Sequence, residues 1–247
     1  MNQTEEVAQT NEMENGYKVD IALVIDATGS MGPMIEQIKN KPLMFAEKIK
    51  ERLEERSQPV SQLRMRVIDF ADFAFEGGEA IHASKFFNIP EEQAELEKAV
   101  RAIEYKDRGG DEPENALEAL WTAINSDWVD LSGIKKGRHV IIVITDAYPL
   151  HLGERNGCKD YVAEDYPESV QKMEEIWNET QCPREGGRKL DPRKKRLLLL
   201  VPKGNDGWHS WDEVSEWDYT IIETIDSNTD FSELNLNYAI NSIIGGW

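Results

Sequence analysis

Three short runs of this chain are apolar at every position: Ile21–Ile25, Val140–Ile144 and Leu197–Val201. A strand with one face in water alternates apolar and polar residues, whereas a strand covered on both faces does not. Unbroken runs of this length, separated by stretches with helical periodicity, therefore call for a parallel sheet held between two layers of helices. Residues 33–56 carry Ile35, Ile38, Phe45, Ile49 and Leu53 on one helical side. Pro33 suits the first turn of that helix, and Pro42 kinks or splits it. Residues 63–70 alternate Met65, Val67 and Phe70 with Arg64, Arg66 and Asp69, as a second strand would. Gly77-Gly78 marks a turn, and residues 83–88 return as an antiparallel edge strand. Helices are expected over residues 91–105, 114–125, 166–179 and 231–244, and a last strand over 219–225. The expected fold is α/β: a doubly wound, mostly parallel central sheet with one antiparallel edge strand and helices on both faces. Residues 18–247 read as one domain. Residues 1–17 are polar and acidic and read as a flexible tail.

In such a sheet, ligands bind beyond the carboxyl ends of the strands. That edge is where this chain concentrates oxygen donors. Asp26-Ala27-Thr28-Gly29-Ser30 follows the first apolar run directly, and Gly29 allows the sharp bend that lets three alternate side chains converge. Asp146 follows the strand expected over Val140–Thr145, in Ile144-Thr145-Asp146-Ala147, so both carboxylates project from one edge. Carboxylates and hydroxyls are hard ligands, suited to Mg²⁺ or Mn²⁺. The plainer reading of Ser30 before Pro33 is a helix N-cap; Asp146 and a third acidic motif favour the cation.

That third motif is Gly109-Gly110-Asp111-Glu112-Pro113-Glu114. With it, the chain resembles the von Willebrand factor type A family over most of residues 18–245. The family has a Rossmann-like fold, and its metal-ion-dependent adhesion site opens on Asp-x-Ser-x-Ser. Here the motif stands as Asp26-x-Thr28-x-Ser30, in the Asp-x-Thr-Gly-Ser-Met form of many bacterial and intracellular relatives. The resemblance implies that Thr28 and Ser30 coordinate through their hydroxyls, with Asp26 and Asp146 acting partly through water. Asp111 takes the place where the family usually has Thr. Three carboxylates around a 2+ ion leave the site formally at −1, which weakens its pull on an acidic partner group. The implied function is non-catalytic: a metal-dependent module that binds a partner protein. By analogy with look-alikes in bacterial gene neighbourhoods, that partner is a kinase, a phosphatase, an AAA+ ATPase or a stress-response protein.

Two other functions compete. Mg²⁺-dependent phosphohydrolases of the haloacid dehalogenase kind also place an Asp after a first strand. They need a second Asp two residues on as general acid, and Thr28 stands there instead. A scaffold whose metal only staples the loops 26–33, 107–114 and 146–151 is the third reading.

Around the proposed cation, Asp72 lies either behind the ligands or free in solvent. His151 follows Asp146 closely enough to reach the rim, although a loop histidine bonded locally is the plainer view. Trp208, His209, Trp211 and Trp217 fall in the loop after Val201. They form either an aromatic anchor for a partner or a loop folding its own indoles inward. Trp121, Trp128 and Trp177 sit at helical core positions. The basic stretch from Arg184 to Arg196 precedes a strand and so lies at the edge opposite the cation. It reads as a solvated loop rather than a docking surface.

A net charge of −19 argues against nucleic acids and anionic membranes as partners. No run reaches membrane-spanning length, and the first residues lack the order of a signal peptide. Cys158 and Cys182 sit in unrelated contexts, which points to a reducing cytoplasm. A single pairing between them stays open.

Overall fold

The computed structural model describes residues 16–105, 113–131, 134–152, 166–178, 190–206, 209–226, 228–230, 240–241 and 243–245, with no side-chain account of 205, 206 and 209. The apolar runs become β1 (Tyr17–Asp26), β5 (Gly137–Ile144) and β6 (Lys195–Val201). Together with β2 (Val60–Phe70) and β9 (Thr220–Thr224) they form a parallel sheet in the order β2-β1-β5-β6-β9.

The outer edge beside β2 is one antiparallel strand in two pieces, β3 (Ile81–Ala83) and β4 (Phe87–Ile89). Ile68 pairs with Ala83, but Met65 pairs with Phe87, so the register slips by one residue between the two. Ser84 fills the bulge: its backbone N–H reaches Val67 O at 2.9 Å, and its Oγ accepts from Val67 N at 3.0 Å. A bulge of this kind twists an edge and blunts it against further pairing. A small separate hairpin, β7 (Asn205–Asp206) with β8 (His209–Ser210), follows β6.

The central strands are covered on both faces, as their lack of alternation requires. Val19, Ile21, Leu23 and Ile25 of β1 face a core shared with α1 (Gly32–Asn40), α2 (Met44–Glu55) and α4 (Gln93–Arg101). Ala22 and Val24 face the opposite core, built with α5 (Ala116–Ile124) and α6 (Val170–Asn178). The described residues also include two single-turn helices, α3 (Phe73–Glu76) and α7 (Asp212–Ser215). Pro42 splits the predicted 33–56 helix. It has no N–H to continue the ladder, and the chain turns from Lys41 to Leu43 before α2 resumes. Of the expected last helix, residues 240–241 and 243–244 are described and are helical.

The basic stretch departs from expectation. Residues 184–189 lie outside the described part, but Lys195 and Arg196 are buried, at 1% and 2% exposure, not solvated. Lys195 Nζ donates to Trp177 O at the end of α6 and stacks 4.7 Å over the Trp177 ring. Arg196 donates to Arg193 O, Lys195 O and Gly245 O. Of these carbonyls, Trp177 O and Gly245 O lie at helix ends, where the dipole also favours positive charge. Arg64, expected on a polar face, is likewise turned to structural use. It pairs with fully buried Asp20 through Nε at 2.8 Å and Nη2 at 2.5 Å.

Candidate metal centre

The sheet order reverses between β1 and β5, since β1 continues to β2 on one side and β5 to β6 on the other. Such a switch point opens a crevice at the carboxyl ends of the two strands. Asp26 is the last residue of β1, and Asp146 follows β5 by two residues. The fold therefore brings the two carboxylates to one crevice.

Asp26 is fully buried. Its Oδ1 accepts from Thr28 N at 2.8 Å and from Thr28 Oγ1 at 2.6 Å. Its Oδ2 accepts from Thr145 Oγ1 at 2.5 Å. Thr145 in turn accepts from Ala147 N at 3.0 Å, which fixes the turn carrying Asp146. Ser30 Oγ donates to Asp146 Oδ1 at 2.9 Å. The Ser30 hydroxyl is not spent on a helix cap, and the 3-10 turn at Gly29–Met31 leads directly into α1.

Burial pushes the Asp26 carboxyl up to about 6. The hydroxyl bonds from Thr145 and Thr28 oppose that rise, and the nearby charge of Asp146 adds to it. Asp146 is also raised, mainly by burial and further by Asp226, while the Ser30 bond works the other way. Among the described residues neither carboxylate has a lysine or arginine ion pair. A buried anion without a cation is costly. A hydroxyl that gives its proton to a carboxylate still has oxygen lone pairs to offer. Thr28 and Ser30 are in that state, so the donor set fits a hard divalent cation.

Asp111 lies outside the described residues. The backbone that follows it is nevertheless pinned at the crevice. Glu114 forms a parallel bridge with Pro149, donating from its N to Tyr148 O at 3.0 Å and accepting from Leu150 N at 2.7 Å. Buried Asn115 accepts from Phe73 N at 2.9 Å and so ties this segment to the loop after β2. Among the described residues no group of three or more His, Cys, Asp or Glu side chains is placed to hold a metal. The site as described is two carboxylates and two hydroxyls.

Asp72 caps α3, its Oδ1 accepting from Ala74 N at 2.6 Å. His151 is half-buried in the loop after Asp146. Trp208 is outside the described residues, and so is the His209 side chain. Trp211 does not line a rim. It is 1% exposed, and its indole N–H donates to Ala147 O at 3.1 Å. Trp217 is buried as well and packs with Trp177, their ring centroids 6.1 Å apart. The loop folds these two indoles inward because burying an indole stabilises more than exposing it. Reading the sequence missed Thr145, Asn115 and Asp226. A hydroxyl closing an otherwise aliphatic run was the available signal for Thr145.

No family model and no curated protein matches the chain. Among solved structures, the pilus adhesin SpaC of Lactobacillus rhamnosus GG is similar at 17% identity with a TM-score of 0.52, over 93% of this chain and 31% of the adhesin. Its open conformation is similar at 16% identity, also with a TM-score of 0.52. The chain thus spans about a third of that protein, and the likeness is one of fold. Proximal thread matrix protein 1 of the mussel byssus matches at 13% identity and a TM-score of 0.43, which is too distant to carry an inference. No described helix is long and apolar enough to cross a membrane.

Proposed function

We propose that this chain is a divalent-cation-dependent protein-interaction domain resembling the von Willebrand factor type A family. Asp26, Thr28, Ser30 and Asp146 would hold the ion, Mg²⁺ or Mn²⁺, with Asp111 completing the set. The observation that carries this reading is Asp26 itself. It is fully buried at a sheet switch point, bonded through both oxygens to hydroxyls, and close enough to Asp146 for the two charges to raise its pKa. A 2+ ion there offsets the electrostatic cost of the buried carboxylates, and with Asp111 as a third carboxylate the site stays formally at −1 and pulls less on an acidic partner group.

Catalysis is not part of the proposal. A dehalogenase-type general acid would stand at position 28, and the Thr28 hydroxyl spends its proton on Asp26. The protein ligand takes its chemistry from the outward face of the ion. The partner classes implied by the resemblance, a kinase, phosphatase, AAA+ ATPase or stress-response protein in the cytoplasm, are part of the same proposal.

Thermal shift and calorimetric titration with Mg²⁺ and Mn²⁺ test the ion. Wild type should show saturable stabilisation, and Asp26→Ala and Asp146→Ala should show none. Equal stabilisation in all three would remove the site. Capture of one protein by wild type, lost with EDTA and with Asp146→Ala, tests the interaction. Capture indifferent to both would leave only a metal that staples loops.

A further inference from the structure

α4 lies on the face of β2 that carries Val67, with Leu96 and Val100 buried in the core they share. Its last turn is different. Ala99 is half-buried and Ala102 is exposed, and side chains this short leave the neighbouring part of β2 and the edge strand β3 uncovered. The result is a groove of about 500 Å³. Val67, Ala99 and Ala102 give it an apolar floor, and Asp69, His82 and Glu104 give it polar walls. Val67 and Asp69 are alternate residues of β2 and so share one face, and His82 is the cross-strand partner of Asp69. The groove stands near the carboxyl edge of the sheet, since Phe70, the residue after Asp69, pairs with Asp26.

Charge chooses the occupant. Asp69 and Glu104 line the groove, and no lysine or arginine does. His82 stands between Asp69 and a further carboxylate, its Nδ1 3.2 Å from Asp69 Oδ2 and its Nε2 3.3 Å from Glu79 Oε2. A charged imidazole would still leave the carboxylates in excess. Among the described residues Glu104 makes no ion pair, whereas Arg101 at the end of α4 is held by Glu97 at 3.3 Å. An incoming cation therefore displaces nothing at Glu104. A net charge of −19 draws cations to the whole surface, but the groove adds a shape. A short apolar floor ending in carboxylates suits an aliphatic stem with a charged head. Arginine meets each part. Its methylene stem covers the alanines, its planar fork matches the Glu104 carboxylate, and its flat guanidinium stacks on the exposed His82 ring.

We propose that this groove receives an arginine side chain from a partner protein, with its stem on Val67, Ala99 and Ala102 and its guanidinium between Glu104 and His82. The groove is a second contact surface and does not depend on the cation. It is tested on the full chain in EDTA, so that the result is independent of the ion, and in about 0.15 M salt, which screens long-range attraction. The probe is N-acetyl-arginine amide, and the readout is the labelled alanine and valine methyl groups. The Val67, Ala99 and Ala102 methyl signals should shift saturably, with half-saturation on the order of millimolar. N-acetyl-citrulline amide has nearly the same shape and no charge, and it should bind roughly tenfold more weakly. Glu104→Gln should weaken the arginine probe by a similar factor. Ala102→Leu fills the groove from an exposed position, so it should abolish the shifts at Val67 and Ala99 with the melting temperature unchanged. Equal binding of the citrulline probe, or wild-type binding by both variants, would overturn the proposal. So would shifts spread over the acidic surface without saturation, the mark of charge attraction alone.

Discussion

Ser30 and Asp146 are separated by 116 positions in the chain and joined by a hydrogen bond of 2.9 Å from Ser30 Oγ to Asp146 Oδ1. The bond links the loop after β1 to the loop after β5 across the switch point. It also leaves the Ser30 oxygen turned to the crevice without a competing cap to make. Ser30→Ala should remove one neutral donor and the orientation of Asp146 together. We expect Mg²⁺ affinity to fall roughly 10- to 100-fold, as when a group orienting a metal ligand is lost, with the melting temperature of the metal-free protein nearly unchanged. Titration calorimetry measures the first and thermal denaturation the second. An unchanged affinity would detach Ser30 from the site.

Thr145→Val tests the support beneath the site. The substitution keeps the side-chain shape and removes the bond to Asp26 Oδ2. It leaves a fully buried carboxylate with one fewer donor, which costs about 1–3 kcal/mol. Protonation relieves that cost, so the Asp26 carboxyl should titrate above its already raised value of about 6. Carboxyl ¹³C shifts across pH 5 to 8 in metal-free protein would show it.

Acid stability should come from two opposed groups. His139 is fully buried, its Nε2 at 2.9 Å from Val129 O and its Nδ1 accepting from Asp191 N at 3.4 Å. Burial lowers it from 6.5 to about 4. The unfolded chain takes up this proton first, so the stability that neutral His139 contributes is complete above 6.5 and is lost as pH falls towards 4. The loss is about 3 kcal/mol. Asp26 has the opposite sign. Its folded value of about 6 lies above 3.8, so the folded, metal-free protein takes up the proton first and gains a similar amount as pH falls through 6. In urea denaturation the two should nearly cancel in wild type between pH 6.5 and 4. His139→Gln should then become more stable on acidification and Asp26→Asn less so. Parallel profiles for the two variants would contradict the assignment.

The sheet was legible in the sequence because each central strand carries an unbroken apolar run of five residues, as a strand buried on both faces does, and helical periodicity separates the runs. Asp26 and Asp146 were legible for a related reason: Asp26 follows one such run directly, Asp146 stands two residues past another, and the run's direction tells which edge each reaches. What stayed hidden was the fate of long polar side chains. Arg64, Lys195 and Arg196 look like surface residues by type, yet each ends on a partner set only by the tertiary fold: Asp20, the end of α6, and Gly245. Trp211 was ambiguous for the same reason. An indole in a loop reads alike whether its N–H meets water or Ala147 O. The bulge at Ser84 left no mark, because a one-residue slip needs no special residue type.

Trp211 should therefore matter for stability before it matters for any partner. It is buried, and it holds the carbonyl of Ala147, the residue next to Asp146. Trp211→Ala should cost about 3–5 kcal/mol through the cavity it leaves. Trp211→Phe keeps most of the packing and loses the bond, for about 1 kcal/mol plus the unpaired carbonyl. Both should weaken Mg²⁺ binding, because the turn carrying Asp146 is released. A Trp211→Ala protein that melts with wild type would mean that this indole is not in the core.

Arg138 clamps the far end of the fold, a role that its residue type does not advertise. Its guanidinium is buried and holds the end of the C-terminal helical segment, with Nε donating to Ile243 O at 3.0 Å and Nη2 to Ile244 O at 2.9 Å. Arg196 Nη2 joins it on Gly245 O at 3.2 Å. Burial lowers the pKa of both, and for Arg196 the charge of Arg138 adds to the fall, to about 10. Two cations in one buried place are tolerable because helix-end carbonyls present negative dipole there and each guanidinium also lies over a tyrosine ring, Arg138 over Tyr17 at 5.7 Å and Arg196 over Tyr219 at 4.7 Å. Arg138→Met should leave the Ile243 and Ile244 carbonyls without these donors and cost about 3–6 kcal/mol, from two charged hydrogen bonds. Arg138→Lys should not rescue it, since an ammonium cannot reproduce the planar fork that reaches two successive carbonyls. Amide exchange at residues 240–245 should rise in both variants while the cation site at the far edge keeps its affinity. Exchange confined to wild-type levels would show that the segment is held by its apolar face alone.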